Sequence, residues 1–265
     1  MKRIILIFIL ILTISFTVYS LTGKEVMERV DNRETGSSRH ALMGMDLVDS
    51  EGNVRARTLE VWSIKYNKGE DLDKIVMEFQ KPDSIENTRF LQVENKRRDD
   101  DKWIYLPALG RVRRIASNQG DQSFVGSDFT YDDMDSRDVE EDEHKLLKDD
   151  KYNGYECWVV ESIPKKIQNS QYSKRISWIT KKHLVPVKVE MYDKKKNELL
   201  KVLKVKKEIK KIDGIWTPVY TVMENVQSNH STRLYVKGNE KRLFLEYNKK
   251  ISPKRFTQRF LKTGR

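Results

Sequence analysis

The sequence predicts a mainly β protein: one domain built on a single, strongly curved antiparallel sheet. Three observations carry this. Apolar and polar residues alternate with period two over segment after segment, separated by short runs of Asp, Asn, Gly and Lys. Only two stretches, one near each end, have the spacing of an amphipathic helix. No Pro/Ser-rich linker, composition break or internal repeat divides the 265 residues. With 34% charged and 38% hydrophobic residues, the composition is that of a folded chain rather than a disordered one.

Residues 1–20 stand apart. Lys2 and Arg3 precede an unbroken apolar run over residues 4–12, and Val18-Tyr19-Ser20 offers acceptable residues for a cut after Ser20. This is the pattern of a secretory signal peptide. The alternative is an uncleaved anchor helix, but the apolar run is short for a hydrocarbon layer of ~30 Å. No Cys lies near the cut, so the lipoprotein form of signal is excluded. Residues 21–265 are then expected as one exported domain, released into the periplasm and not lipid-anchored. No later apolar run approaches the ~18 residues of a membrane helix. Cleavage removes two basic residues and no acid, so the formal charge of +11 falls to about +9. In an exported chain this excess points to anionic lipid surfaces or to solubility, not to nucleic acid.

The elements follow in order. Residues 22–33 predict a short helix: Thr22 caps it, Glu25 completes a capping box, and Val26 and Val30 share a face. Over residues 40–48, Ala41, Met43, Met45 and Leu47 lie on one side of a strand. Residues 49–53 form a hairpin loop. The next strand, 54–66, changes apolar phase between Leu59/Val61 and Trp62/Ile64/Tyr66, which predicts a bulge or a strand covered on both faces. A turn at 68–71 leads to a strand with Ile75, Met77 and Phe79. Residues 84–87 read as one helical turn, 89–95 as a strand, 99–102 as a turn and 103–106 as a strand. Pro107 and Gly110 end that strand and reverse the chain into 111–115. Residues 123–134 are rich in Asp, Phe and Tyr and predict an irregular segment or short helix. Residues 140–143 read as acidic and exposed. Further strands are expected at 145–148, 155–162, 175–180, 184–192, 198–209, 217–227 and 232–236. Residues 253–261 predict a second helix, with Phe256 and Phe260 at i, i+4.

Many of these strands exceed the usual ~5–6 residues, which favours a curled sheet or barrel. An outer-membrane barrel is disfavoured, because Lys201, Lys204, Lys206 and Lys207 would face lipid. Two short helices cannot cover so large a sheet unless it curls. The candidate lining of the hollow is Met43, Met45, Trp62, Ile64, Met77, Phe79, Trp103 and Tyr105. Side chains either fill this hollow or leave room for an acyl chain.

No catalytic pattern is present: no His-Glu-x-x-His, Gly-x-Ser-x-Gly, P-loop or dinucleotide fingerprint. The four histidines are scattered. Cys157 is the sole cysteine and reads as a buried structural thiol. Asp99-Asp100-Asp101 and Asp128, Asp132, Asp133 and Asp135 lack the calcium-loop pattern and read as turns and caps. No enzyme activity, metal or cofactor is expected.

The most distinctive block lies at residues 89–134. Within it, Trp103-Ile104-Tyr105-Leu106-Pro107-Ala108-Leu109-Gly110-Arg111-Val112-Arg113-Arg114-Ile115 and Phe124-Val125-Gly126-Ser127-Asp128-Phe129-Thr130-Tyr131-Asp132-Asp133-Met134 resemble the outer-membrane lipoprotein-sorting proteins, which are similar to the LolA/LolB periplasmic carriers. The resemblance covers essentially the whole mature chain. It implies an open, incomplete β-barrel of about eleven strands with helices plugging the concave side. It also implies a non-enzymatic carrier of acylated lipoproteins or lipids, acting as a single chain. Members of this family are often associated with export pumps of the resistance-nodulation-division type. An inner-membrane exporter is therefore an implied partner, and an accessory or scaffold subunit of such a pump is the alternative reading. Arg111, Arg113 and Arg114, with Phe124, Phe129 and Tyr131, are candidate headgroup or flap contacts. For the arginines, the competing expectation is ion pairs to Asp128, Asp132 or Asp133.

Overall fold

The strands alternate as the sequence pattern demands, and their register decides what each face carries. The computed structural model describes residues 20–67, 72–96 and 98–265. The expected signal segment, Ser20 apart, and the expected turn at 68–71 lie outside the described residues. The chain forms helix α1 (Gly23–Asp31), then β1 (Ser38–Val48), β2 (Val54–Asn67), β3 (Leu72–Lys81), β4 (Arg89–Val93), β5 (Asp101–Leu106) and β6 (Arg111–Ile115). After a long connection come β7 (Asp142–Tyr152), β8 (Tyr155–Pro164), β9 (Tyr172–Thr180), β10 (Pro186–Asp193) and β11 (Leu199–Val205). The chain continues through β12 (Ile209–Ile212), β13 (Ile215–Pro218), β14 (Tyr220–Asn225), β15 (His230–Val236), β16 (Leu245–Tyr247) and α2 (Gln258–Thr263).

Among the described residues one antiparallel sheet has 14 strands, in the order β6-β5-β4-β3-β2-β1-β15-β14-β11-β10-β9-β8-β7, with β16 added beside β15 on β1. The resemblance implied about eleven. Two long sequence runs each divide in two: 198–209 into β11 and β12, and 217–227 into β13 and β14. The short β12–β13 hairpin stands outside the main sheet. The sheet is not closed, and β6 and β7 are its free edges. Both edge strands are rich in charge, which discourages edge-to-edge association.

One row of facing residues runs Ala41, Val61, Met77, Phe90 and Ile104; the alternate row runs His40, Trp62, Val76, Leu91 and Trp103. The first row belongs to the inner face. Its largest cluster joins Phe90 and Ile104, on β4 and β5, to Tyr172 and Met191, on β9 and β10. These strands lie at opposite ends of the sheet order, so only a curled sheet brings their side chains together.

Helix α1 has the capping box read from the sequence: Glu25 N–H donates to Thr22 Oγ1 at 3.1 Å, and Thr22 N–H donates to the Glu25 carboxylate at 2.7 Å. Its Val26 and Val30 pack against Val160 and Ile179, on the inner face at the β7–β9 end. Helix α2 differs from the expectation. It lies on the outer face, where Phe260 and Leu261 join Phe256 in covering Trp62, Val76 and Leu91. The remaining plug is not an α-helix but the 116–141 connection between the two free edges, irregular apart from three single 3-10 turns.

Candidate functional site

The connection from β6 to β7 must cross the gap between the sheet's edges, and its path explains its composition. Its apolar residues face the inner cluster. Phe124 is fully buried, with its ring 5.2 Å from Phe90, 5.8 Å from Tyr131 and 6.1 Å from Phe79 between centroids. Phe129 and Tyr131 join the same cluster with Met45, Leu59 and Met223. The tip is a tight turn: Ser127 N–H donates to the Phe124 carbonyl at 3.0 Å, and Phe124 N–H to the Phe129 carbonyl at 2.8 Å. Val125 and Gly126 both have positive φ, 50° and 76°. That is the pattern of a type I′ turn, which normally carries Asn, Asp or Gly where Val125 sits. A β-branched residue there is strained. Packing of Val125 on the cluster and a 2.5 Å hydrogen bond from Arg57 Nη1 to its carbonyl hold it in place.

The aspartates of this flap reach strands across the sheet. Asp128 accepts from the Thr232 hydroxyl of β15 at 2.7 Å. Asp133 accepts from Tyr172 Oη on β9 at 2.7 Å and pairs with Lys201 of β11 at 3.2 Å. Asp135 pairs with Lys102 of β5 at 2.6 Å and accepts from Gln92 of β4 at 3.0 Å, while Asp132 lies 3.5 Å from Lys102. Lys102, Lys201 and Asp133 are almost wholly buried, so each pair is held in low dielectric and losing one partner would leave an uncompensated charge. Burial pushes the Asp135 carboxyl up to about 7, and Lys102 offsets this only in part. Burial also raises Asp100 and Asp132. Arg137 and Arg175 share Asp142, at 2.5 and 4.0 Å. Asp142 is therefore buried, where the sequence reading had residues 140–143 exposed.

The expected lining divides between two faces. Met43, Met45, Met77 and Phe79 lie in or against the inner cluster. Trp62, Ile64, Trp103 and Tyr105 lie on the opposite face, in the cluster beneath α2. Trp103 and Tyr105 flank Ile104, so the pleat sends them away from it. Phe124, Phe129 and Tyr131 cover the inner face. Arg111, Arg113 and Arg114 are exposed on edge strand β6. Arg114 pairs with Asp101 at 2.8 Å, and none of the three arginines pairs with Asp128, Asp132 or Asp133. Those aspartates are held by Thr232, Lys102 and Lys201 instead. The missed residues carried a signal: Lys102 and Lys201 fall in the inner-face phase of their strands, where a lysine requires a partner.

Beside the flap runs a groove of about 1820 Å³, bordered by α1, the start of β1, the 135–139 part of the flap and the 193–196 turn. Its walls include Arg39, Ser63, Lys65, Lys201 and Arg175, and it reaches the inner cluster at Ile75, Ile115 and Leu200. Nothing here has the arrangement of a nucleophile with its base. Ser127 Oγ donates to a backbone carbonyl, and burial pushes the Cys157 thiol up to about 11. Among the described residues no group of three His, Cys, Asp or Glu side chains is placed to hold a metal.

The large, curled, unclosed antiparallel sheet is the fold of the LolA superfamily. A LolA superfamily protein from Nitrosomonas europaea shares it at 16% identity, with TM-score 0.67 and coverage of 91% of this chain and 100% of that one. A domain from Vibrio parahaemolyticus, described as an outer membrane lipoprotein-sorting protein, is 33% identical with TM-score 0.81, covering 91% of this chain and 98% of that one. A DUF1329 family protein from Desulfovibrio piger is 28% identical with TM-score 0.83, covering 90% and 97%. A family model described as "Uncharacterized protein" matches residues 71–263. No curated protein matches the chain by sequence. The chain belongs to the family of outer-membrane lipoprotein-sorting domains, as the block at residues 103–134 implied, and it has the LolA superfamily fold.

Proposed function

We propose that this protein is an exported, non-enzymatic carrier of lipids or acylated lipoproteins in the bacterial envelope. In the loaded state, acyl chains replace Phe124, Phe129 and Tyr131 on the inner face. One observation carries the reading. The largest apolar cluster among the described residues is covered by an irregular segment pinned at its polar margin, not by a regular element packed along its length. Lifting that segment exposes an apolar trough, and each acyl CH₂ taken from water contributes roughly 0.8 kcal/mol. No bond need be made or broken.

The test is a titration of delipidated protein with a fluorescent fatty acid, run on a variant whose flap can be locked. Asp128 and Thr232 already touch through their side chains, so an Asp128→Cys, Thr232→Cys pair places two thiols at the flap tip. Saturable binding to the reduced pair that disappears on oxidation is the expected result. Wild-type protein that binds no acylated ligand overturns the reading. The second reading, an accessory subunit of an envelope exporter, is favoured by the inner face being filled by the protein's own aromatic side chains. Copurification with a membrane pump in the absence of bound lipid is the outcome that would select it.

A further inference from the structure

Buried cations in this protein are matched by carboxylates almost everywhere. Arg89 bonds Glu78 at 2.6 Å, Asn87 at 2.8 Å and the Leu261 carbonyl at 3.1 Å. Lys102, Lys201 and Arg137 have Asp135, Asp133 and Asp142. Arg57 breaks this rule but has the Val125 carbonyl; Arg33 and Arg39 break it too, and both line the groove.

Arg39 is on β1 in the inner-face phase, opposite Ser63 of β2 and Tyr247 of β16. Its Nε is buried and has no hydrogen-bond partner. Arg33 follows α1 and is half-buried, and among the described residues its side chain donates only to the Val30 carbonyl, at 3.3 Å. Neither makes an ion pair with a carboxylate among the described residues. Burial holds the Arg33 guanidinium below its ordinary value; Tyr247 and Asp31 oppose this in part, and the charge of Arg39 lowers it further. Nearby carboxylates are engaged elsewhere: Glu34 accepts from Gly36 N–H at 2.7 Å, and Glu94 accepts from Asp73 N–H at 2.6 Å and from the Ser136 hydroxyl. Further along the groove wall, Arg175 has a buried Nη1 without a hydrogen bond and must share its one carboxylate with Arg137. Unspent, half-desolvated guanidinium donors of this kind are costly unless an anion answers them.

We propose that Arg33 and Arg39 form an anion subsite for a phosphate-type group, with Ser63 beside it, so that the amphiphile taken by the inner face carries an anionic head. Guanidinium forks match the oxygens of a phosphate monoester, and such charge-assisted bonds are stronger in a partly dry groove than in water. The placement fits one molecule spanning both regions. Arg39, Ser63 and Ile75 stand in one row across β1, β2 and β3, and Ile75 packs against the apolar cluster under the flap. The head would sit at the arginines, and the chain would run from Ile75 toward Phe79. The amphiphile part of this proposal rests on the carrier reading above; the anion subsite does not.

The experiment is calorimetry on the full mature chain, delipidated, with three probes: a monoacylglycerol phosphate, the monoacylglycerol of the same chain length, and inorganic phosphate. Wild type is compared with Arg39→Gln and with the Arg33→Gln, Arg39→Gln pair. Neither arginine has a carboxylate partner to orphan, so unchanged melting temperatures are expected to show that the variants fold. Wild type should prefer the phosphorylated lipid by roughly tenfold or more. The paired variant should lose that preference while its affinity for monoacylglycerol stays the same. A preference that survives in the paired variant overturns the proposal, as does a wild type that binds both lipids equally. In that last case the carrier reading stands alone. Inorganic phosphate binding that is lost in Arg39→Gln, with neither lipid bound by wild type, keeps the subsite and sinks the carrier reading. If no probe binds, both fall.

Discussion

The sheet has two apolar faces, and they are closed in opposite ways. The outer one, around Trp62, Val76, Leu91 and Trp103, is covered by α2. That helix is capped by Thr257 at one end and by Gly264, with φ 71°, at the other. Arg255 stacks 4.0 Å above the Trp62 ring, and Phe260 meets the same ring edge-on at 6.5 Å. The inner face is covered by a flap with little regular structure, whose hold is concentrated in a few buried polar contacts. Similar apolar side chains thus yield a fixed seal on one side and a latched one on the other. Burying aromatic area stabilises both covers, but only a cover whose hold lies at its margin can be released without unfolding an element.

The sharpest way to break this comparison is a matched pair. Phe124→Ala on the inner side should cost about 3–5 kcal/mol and Phe260→Ala on the outer side about 3 kcal/mol, read from urea midpoints. Only Phe124→Ala should change the affinity for a fluorescent fatty acid, because it opens the trough. An equal change in Phe260→Ala would mean that the two faces are not distinct.

The latch itself makes a smaller, pH-dependent prediction. Asp135 titrates at about 7 in the fold, against about 3.9 in an unfolded chain. The folded state therefore binds the proton more tightly, so this group's contribution is fully present below pH 4. It declines as pH rises to about 7 and is flat beyond. Asp100 and Asp132, also raised by burial, act with the same sign. Because Lys102 answers part of the charge, the change should be a few kcal/mol at most, on the order set by the shift. Stability should be lower at pH 8 than at pH 5, and Asp135→Asn should flatten that difference. A wild type whose urea midpoint is level between the two pH values would show Asp135 to be solvated, and the latch looser than drawn. The smallest effect is expected at the N-terminus of α1, away from the flap and from α2: Thr22→Ala should remove the α1 cap for about 1 kcal/mol, seen as a lower melting temperature with ligand binding unchanged.

Much of this was legible in the chain. The capping box at Thr22 and Glu25 needs only four consecutive residues, and it is present as read. The phase change in β2 was a true signal. Leu59 and Val61 face inward and Trp62 and Ile64 outward, so this strand is covered on both sides, with register shifts against β3 at Thr58/Leu59 and Lys65/Asn67. Phe256 and Phe260 do pack together. The site was less legible. Placing Trp62, Ile64, Trp103 and Tyr105 with Met45 and Phe79 treated apolar character as if it named a face. The arginines of 111–114 were conspicuous but exposed, whereas Lys102 and Lys201, hidden among apolar neighbours, hold the flap.

The sequence by itself determined the local facts: strand succession, turns, the helix cap, the family block, and which residues within a strand point the same way. Those depend on the period of two and on neighbours a few residues apart. Only the tertiary structure decided which of the two faces became the inside, that the β6–β7 connection crosses it, and that Asp128, Asp133 and Asp135 find Thr232, Lys201 and Lys102. Parity along a strand is the same whichever way a sheet curls, so the direction of curl is set by contacts between residues far apart in the chain.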